Sequence, residues 1–295
     1  MKYQVTISGL HSKDLGEDFI SELKGIFDDG HPSHYFSMGK VDENDERIPA
    51  VLSKLADAGL EPWEEESRFI SGQEFAYIRF RIYEEEDFEN CDYFMLNPSA
   101  STPSGYRVDG LIELKLRGED RMYSSSGLNQ IADLMCINAG WYIVPERTKA
   151  RLEASDLAGP SFRPTKLITG YHTNKEYFDW QQELGSEWWE LISDVIMPPL
   201  SETTELRDRK SQPLTDRHDF SGGVYPREGF FDTAEFHYRR SDLEAMPLFD
   251  LARTYEPMGV KAEYDQRPLI ASRRFFDFCC EHDIETNWVP VRIDD

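Results

Sequence analysis

Two segments of this chain repeat one pattern, and the repeat constrains the fold more than any other sequence feature. The first runs from Trp141 to Leu167 and the second from Pro268 to Ile293. They align without gaps at an offset of 126 residues, with these matches: Val144 with Ile270, Arg147 with Arg273, Leu152 with Phe278, Phe162 with Trp288, Pro164 with Pro290, Lys166 with Arg292. Each copy has short apolar runs around a helix-like stretch, which predicts strand, helix, strand. Two copies are too few for a solenoid, so the pattern predicts a duplicated structural module.

Ser272 stands where the second copy passes from strand to helix. Serine ranks near the top of the residues that cap a helix N-terminus, so we expect its hydroxyl to accept a backbone N–H there. A phosphate or nucleophile site is the alternative, but no Gly-rich loop precedes Ser272 and Glu146 holds the matching position of the first copy. Upstream, Asp133 and Asp250 precede the two copies, the second with a longer spacer.

The first part of the chain predicts a small α/β module. Strand-like alternation covers 3–7 and 75–83, and apolar residues recur at helical spacing in 14–27 and 45–58, the latter followed by Gly59. The predicted fold class is therefore α+β: a small N-terminal α/β module followed by a duplicated strand–helix–strand body with mixed sheets. The predicted domains are 1–72, 73–200 and 201–295, with 73–295 as one compact domain in the alternative.

The charge balance is strongly acidic. The chain of 295 residues has 32 Lys and Arg against 56 Asp and Glu, a net charge of −24. Such a surface repels phosphate backbones and anionic lipids, which excludes ordinary nucleic-acid and membrane partners, and it attracts a basic protein. Solubility alone is the other explanation. The sequence contains no apolar run of membrane-spanning length and begins without a signal-like segment, so we expect a cytoplasmic protein.

The cysteines predict free thiols rather than a metal site. Cys91, Cys136, Cys279 and Cys280 lack C-x-x-C spacing, and they are expected to behave as small buried hydrophobic residues in a reducing compartment. We therefore expect no structural zinc and no cofactor.

Several segments together resemble a bacterial family, the double-CXXCG motif proteins and the related polymorphic-toxin immunity proteins. The likeness covers about 77–295 and is carried by 83–88, 162–164, 188–191, 249–256, 270–274 and 289–291. Both CXXCG motifs are missing, so the zinc ribbon that they imply is not expected here. The resemblance implies a neutralising binding protein, or one with no established activity, and it supplies no catalytic residues.

Acidic runs and aromatic pairs are the candidate partner-binding residues. A run of four carboxylates, Glu84 to Asp87, predicts a helix start, because consecutive helical side chains point in different directions and cannot converge on one cation. We expect carboxylates to steer a basic partner, such as a toxin domain, and aromatic side chains to anchor it. The candidates are Glu64, Glu65, Glu66, Glu84, Glu85, Glu86, Trp188 and Phe230.

The alternative hypothesis is a hydrolase-like enzyme with its site in the 213–229 loop. Asp216, His218 and Asp219 are the best acid–base candidates there, beside a Gly-Gly pair. A solvated loop with local turns explains the same residues. The sequence has no nucleophile elbow, phosphate loop, dinucleotide fingerprint or H-E-x-x-H motif. The predicted function is therefore a non-catalytic acidic protein that binds and neutralises a basic toxin domain.

Overall fold

The fold is α+β, as predicted, and most of its strand pairs are antiparallel. The computed structural model describes residues 2–27, 35–62, 74–96, 122–124, 133–137, 141–164, 166–168, 183–184, 188–208, 212–221, 224–228, 232–233, 235–258, 267–284 and 286–295. The chain divides into two compact units. The first contains 1–89, 204–217 and 225–234, and the second contains 90–203, 218–224 and 235–295. The domain boundaries expected from the sequence stay a prediction.

The first unit contains a four-stranded sheet with the strand order β2-β1-β4-β3. Its strands are β1 (Lys2–His11), β2 (Tyr35–Asp42), β3 (Glu61–Pro62) and β4 (Glu74–Ile82). Strand β1 pairs antiparallel with β2 and β4, and β3 pairs parallel with β4. Helices α1 (Ser12–Leu15), α2 (Glu17–Ile26) and α3 (Arg47–Asp57) follow the strands, and α4 (Glu85–Glu89) comes directly after β4. A smaller sheet contains β13 (Leu206–Arg207), β14 (Tyr225–Glu228) and β15 (Asp232–Thr233).

Helix α3 shows why the local sequence folds as predicted. Its buried face contains Ile48, Val51 and Leu55, at the spacing of one helical stripe. Gly59 has a φ of +72°, and the Leu60 N–H donates to the Leu55 carbonyl at 3.0 Å, which closes the helix in a Schellman motif. The helix predicted over 14–27 is instead interrupted at Gly16, whose φ of +89° is incompatible with continuous right-handed helix.

The second unit contains two four-stranded sheets of similar arrangement. In each, one strand lies between the two strands of a repeat segment, and another lies at the edge beside the first of them. The first sheet is β7-β8-β12-β9 and the second is β17-β18-β5-β19. The bounds are β5 (Tyr93–Leu96), β7 (Met135–Ile137), β8 (Trp141–Pro145), β9 (Pro160–Pro164), β12 (Trp188–Ser193), β17 (Leu251–Arg253), β18 (Leu269–Ser272) and β19 (Trp288–Pro290). Helix α5 (Glu146–Ala154) joins β8 to β9, and α7 (Arg273–Glu281) joins β18 to β19. Each repeat segment is therefore strand, helix, strand. The duplication itself stays a prediction.

Among the described residues, the second unit also contains two smaller groups of strands and one more helix. Strands β16 (His237–Arg239) and β20 (Arg292–Asp294) form a parallel pair. Strands β6 (Met122–Ser124), β10 (Lys166–Ile168) and β11 (Glu183–Leu184) form a small sheet. Helix α6 (Arg240–Glu244) follows β16 directly.

One apolar core unites the two four-stranded sheets of the second unit. Buried side chains from both sheets and both helices form a single cluster, which contains Leu96, Leu134, Tyr142, Val144, Leu152, Leu191, Leu251, Leu269, Ala271, Phe275, Cys279 and Ile284. Polar groups also cross between the sheets, since the Tyr142 hydroxyl donates to the Leu96 carbonyl at 2.8 Å and Ser193 Oγ donates to the Leu251 carbonyl at 2.8 Å. The two repeat segments therefore bury each other.

The first strands and the helices of the two segments correspond one residue away from the predicted alignment. Val144 lies in the same core as Ala271, so its predicted match with Ile270 is wrong. Thr148 and Leu152 are the buried positions of α5, and Phe275 and Cys279 are those of α7, an offset of 127. The predicted match of Leu152 with Phe278 is therefore wrong, because Phe278 is only partly buried. The match of Phe162 with Trp288 agrees with the structure, since both pack half-buried against the core. The second segment has one residue fewer between the end of its helix and Trp288 than the first has between its helix and Phe162, which restores the offset of 126 there.

The aspartates before each segment make equivalent ion pairs. Asp133 accepts from Arg147 Nε at 2.8 Å, and Asp250 accepts from Arg274 Nη1 at 3.2 Å. Ser272 caps α7 as predicted, with its hydroxyl accepting the Phe275 N–H at 3.2 Å. Each aspartate thus ties an edge strand to the start of a helix.

The cysteines differ from one another in exposure. Cys91 and Cys279 are buried free thiols, and burial raises the pKa of Cys279 far above its ordinary range. Cys280 is also a free thiol, but it is exposed on α7, so the expectation that it is a buried hydrophobic residue is wrong. Helical geometry explains this, because adjacent residues on a helix point about 100° apart and only Cys279 faces the core.

Candidate functional site: an acidic edge of the first unit

Carboxylates gather where three strands of the first unit begin or end. Lys2 is paired with Ile82, and Gln4 is paired with Asp42, so that this end of the sheet brings the start of β1 beside the ends of β2 and β4. Glu84, Glu85 and Glu86 follow β4 immediately, and all three are exposed. We call Asp42, Glu84, Glu85 and Glu86 the acidic edge.

The turn into α4 is stabilised by the same acidic run. The Asp87 carboxylate accepts the Glu84 backbone N–H at 3.0 Å, and the Asp87 N–H donates to the Glu84 carbonyl at 2.9 Å. This arrangement satisfies a backbone donor at the helix start in the manner of a capping box. The helix predicted to begin in this run is confirmed. Glu84, Glu85 and Glu86 are exposed to solvent, whereas the Asp87 carboxylate accepts a backbone hydrogen bond.

The pKa of Lys2 shows the effect of the negative charges of the acidic edge. Lys2 Nζ forms an ion pair with Glu84. The pKa of Lys2 is raised, first by the hydrogen bond with Glu84 and then by the nearby charges of Glu84, Asp42 and Glu86, although desolvation opposes the shift. Three carboxylates therefore act on one ammonium group. The edge is a cation-attracting surface, and because it is exposed, salt screens its attraction.

Several of the partner-binding candidates from the sequence are not among the described residues. Glu64, Glu65, Glu66 and Phe230 lie outside the described residues. Trp188 opens strand β12, where its backbone is opposite Pro145, and its side chain is not described. Its neighbour Trp189 packs against the core of the second unit, as expected for one member of an adjacent pair on a strand. Of the partner-binding candidates, the structure thus brings together Glu84, Glu85 and Glu86.

The residues of the alternative catalytic site are exposed. The division between the compact units falls after Arg217, so Asp216 belongs to the first unit and His218 and Asp219 to the second. The His218 ring lies edge-on to Tyr255, with 6.0 Å between ring centres. Asp219 accepts the Ser221 N–H at 3.0 Å, and hydrogen bonds from Ser221 lower the pKa of its carboxyl. This geometry is that of a local turn, and a catalytic role for these residues stays a prediction.

A histidine–carboxylate pair elsewhere was not predicted from the sequence. His237 Nδ1 lies 2.9 Å from Asp294 Oδ1, and the Ser201 and Thr203 hydroxyls donate to the other carboxylate oxygen. Burial raises the pKa of Asp294, but hydrogen bonds from Ser201, Thr203 and His237 outweigh it, and the pKa is lowered overall. The pair orients the imidazole and ties the last strand to the turn at 201–203. No sequence signal marks it, because pairing of β16 with β20 creates it.

Two kinds of feature, a metal-binding cluster and a membrane-spanning helix, are absent from the part of the chain that the structure describes. No group of three or more His, Cys, Asp or Glu side chains there is arranged to hold a metal ion. Over the same residues, no helix has both the length and the apolarity needed to cross a membrane.

Neither the models of known protein families nor the curated proteins contain a match to this chain. The resemblance to the double-CXXCG and immunity proteins therefore remains a prediction, and the site must be interpreted from its own chemistry.

Proposed function

We propose that this protein is a non-catalytic, cytoplasmic binding protein that neutralises a basic partner, most plainly a basic toxin domain. The observation that carries the proposal is the acidic edge: exposed carboxylates, clustered on one end of a sheet, in a chain with a net charge of −24. Such a surface raises the association rate of a basic protein and orients its approach. The resemblance to immunity proteins supports the same function.

The charged groups of the acidic edge are exposed, which limits their contribution to folding stability. The Lys2 and Glu84 side chains are 60% and 53% exposed, and ion pairs in such positions add little to folding stability. The carboxylates of the acidic edge are therefore available to a partner at small cost to the stability of the fold. Exposed charges at the rim of an interface mainly change the association rate, whereas buried anchors determine the dissociation rate.

The experiment is capture of a partner from the source lysate, followed by binding kinetics at several salt concentrations. The test variant is Glu84→Gln/Glu85→Gln/Glu86→Gln. A control variant with the same loss of charge is Asp14→Asn/Glu17→Gln/Asp18→Asn, which changes exposed carboxylates on α1 and α2. We expect the test variant to lower the association rate by roughly tenfold at low salt, with a smaller change in the dissociation rate.

Three results would contradict the proposal. An equal decrease for both variants would assign the attraction to net charge rather than to the acidic edge. An association rate that does not depend on salt would remove the electrostatic mechanism. Failure to capture a protein, together with turnover of a small molecule that is lost in His218→Ala, would favour the hydrolase-like alternative.

A further inference from the structure

One lysine of the second unit lies in a cage of aromatic rings and carboxylates. Lys149 Nζ is 4.4 Å from the centre of the Trp189 ring and 5.9 Å from that of Phe162. Its ammonium also lies 2.9 Å from Glu153 and 3.6 Å from Glu146. The Lys149 side chain is only 13% exposed, whereas both glutamates are about half exposed. Aromatic faces with carboxylates around one ammonium form a cation-recognition arrangement.

The fold builds this cage from three elements. On β12, Trp189 faces the same side as the core residue Leu191, and on β9 Phe162 lies directly opposite Leu191, so both rings face α5. The Trp189 indole N–H donates to the Glu146 carboxylate, which holds the ring in place. Glu146, Lys149 and Glu153 share one face of α5, because they are separated by three and four residues.

The second sheet fills the equivalent space with aromatic rings and with the guanidinium of Arg273, which lies 4.6 Å from the ring centre of Phe94 and 5.2 Å from that of Phe276. There Phe94 of β5 takes the place of Trp189, since it lies between Ala271 and Pro290 as Trp189 lies between Val144 and Pro164. Trp288 corresponds to Phe162. Phe276, at the helix position of Lys149, stacks on Phe94 at 4.5 Å and contacts Trp288 edge-on at 5.2 Å.

The two sheets differ in the side chain that the helix places over the aromatic rings. In the second sheet the ring of Phe276 takes the helix position of Lys149, and the cation that covers the rings is a guanidinium. The first sheet instead uses a long, flexible cation flanked by carboxylates, where the second sheet has Arg273 at the position of Glu146. A side chain of this kind can leave and be replaced by another cation, because Lys is unbranched and its ammonium is strongly hydrated when released.

We propose that Trp189, Phe162, Glu146 and Glu153 form a recognition site for a lysine ammonium of the basic partner, and that Lys149 fills this site in the free protein. The identity of the occupant rests on the proposed function, whereas the existence of the site does not. A lysine is the fitting occupant because the cage already holds a lysyl ammonium at contact distance from Trp189.

Lys149 acts in this scheme as an internal competitor. Hydrogen bonding to Glu153, followed by the charge of Glu146, raises the pKa of Lys149 despite desolvation, so it remains charged at neutral pH. A tethered side chain competes at a high effective concentration, and a partner lysine displaces it only once other contacts hold the partner in place. Removing Lys149 should therefore strengthen binding, whereas sealing the cage should weaken it.

Two substitutions with the same charge change test the site directly. Lys149→Ala opens the cage, and Lys149→Phe fills it with the ring that Phe276 places at the same helix position of the second sheet. The readout is the indole N–H resonance of Trp189, assigned by its loss in Trp189→Phe, during titration with ethylammonium chloride and with sodium chloride at equal ionic strength. We expect a saturable shift with ethylammonium in Lys149→Ala alone. A folded Lys149→Ala protein without that shift, or an equal shift in Lys149→Phe, would overturn the inference.

Partner affinity gives the second arm, and one of its comparisons keeps Lys149 intact and so does not depend on Lys149→Ala folding. We expect Lys149→Ala to bind the captured partner about threefold to tenfold more tightly than the wild type, and Lys149→Phe to bind correspondingly less tightly. With Lys149 intact, Glu153→Gln should weaken binding more than Glu17→Gln, an exposed glutamate of α2 that gives the same charge change.

The two proposals fail in different ways. Equal partner affinity of Lys149→Ala and Lys149→Phe, with a partner captured, would overturn the cage as a partner site and leave the proposed function standing. Failure to capture any partner would overturn the proposed function, and the ethylammonium titration would then decide by itself whether the cage accepts an external ammonium.

Discussion

At the scale of single residues, the junction between the two repeat segments depends on Asp250 and Gly159. The Asp250 side chain is 3% exposed, and its oxygens accept from Ala158 N at 2.8 Å, from Ser272 Oγ at 2.8 Å and from Arg274 Nη1 at 3.2 Å. In return, the Ala158 carbonyl accepts the backbone N–H groups of Asp250 and Leu251. This close approach of two backbones leaves no room for a side chain at the next residue, Gly159.

Gly159→Ala should be strongly destabilising. Gly159 has a φ of +111°, and a Cβ there would lie 2.1 Å from the Leu251 carbonyl oxygen. The backbone strain alone costs about 1–3 kcal/mol, and the clash adds to it, so we expect a loss of at least about 2 kcal/mol in the free energy of unfolding. Gly25→Ala is the matched control, because Gly25 lies inside α2 with nothing within 4 Å of its Cβ position.

The control should have the opposite sign. An alanine inside a helix is favoured over glycine by about 0.5–1 kcal/mol, so Gly25→Ala should stabilise the protein. Urea unfolding curves of the two variants measure both changes. Similar unfolding free energies for Gly159→Ala and the wild type would show that the junction can open without cost.

At the scale of elements, side chains reinforce the pairing of the last strand. Strands β16 and β20 form a two-stranded parallel pair, which offers few backbone hydrogen bonds. Arg292 compensates by donating from Nε and Nη2 to Glu235 Oε1, at 3.1 and 2.8 Å. Asp294 joins both strands to the 201–203 turn through His237, Ser201 and Thr203.

The attachment of β20 should weaken in acid. The folded-state pKa of Asp294 is lower than its value of about 3.9 in an unfolded chain, so the folded state binds fewer protons in that range. The stabilising contribution is thus present above the unfolded pKa and is lost as the pH falls through the folded pKa. Unfolding free energies of the wild type and Asp294→Asn, measured from about pH 6 to about pH 2, should therefore converge in acid.

Asp295→Asn is the matched control for this prediction. Asp295 is 93% exposed at the end of the chain and pairs with the exposed Arg240. Such a pair contributes little, so its removal should leave the pH profile near that of the wild type. A difference between wild type and Asp294→Asn that stays constant across the range would show that hydrogen bonding in either protonation state, rather than carboxylate charge, holds the strand.

At the scale of the whole molecule, the net charge of −24 opposes folding through repulsion between like charges. We expect added sodium chloride to raise the melting temperature at pH 7, because screening weakens this repulsion more than it weakens the scattered surface ion pairs. The control is the same salt series near pH 4.6, the isoelectric point, where the net charge is close to zero. A melting temperature at pH 7 that falls as salt is added would show that ion pairs dominate over net repulsion.

The features that the sequence predicts correctly are those that depend on neighbours along the chain. Helix α3 with its closing Gly59, strand β4, the helix start at Glu84 and the Ser272 cap each follow from apolar spacing or capping chemistry within a few residues. The element order of both repeat segments follows in the same way. These signals also place Glu84, Glu85 and Glu86 together, because they are consecutive.

What the sequence alone cannot supply is the set of partners that are distant in the chain. The central strands β12 and β5 come after the first segment and before the second, so no local pattern identifies them as equivalent. Their placement creates the Lys149 cage and its filled counterpart at Phe276. The pair of His237 with Asp294 likewise exists only because β16 and β20 align. Local propensity determined the elements of this protein, whereas burial of both sheets in one core determined their pairing, and that free energy depends on all of them at once.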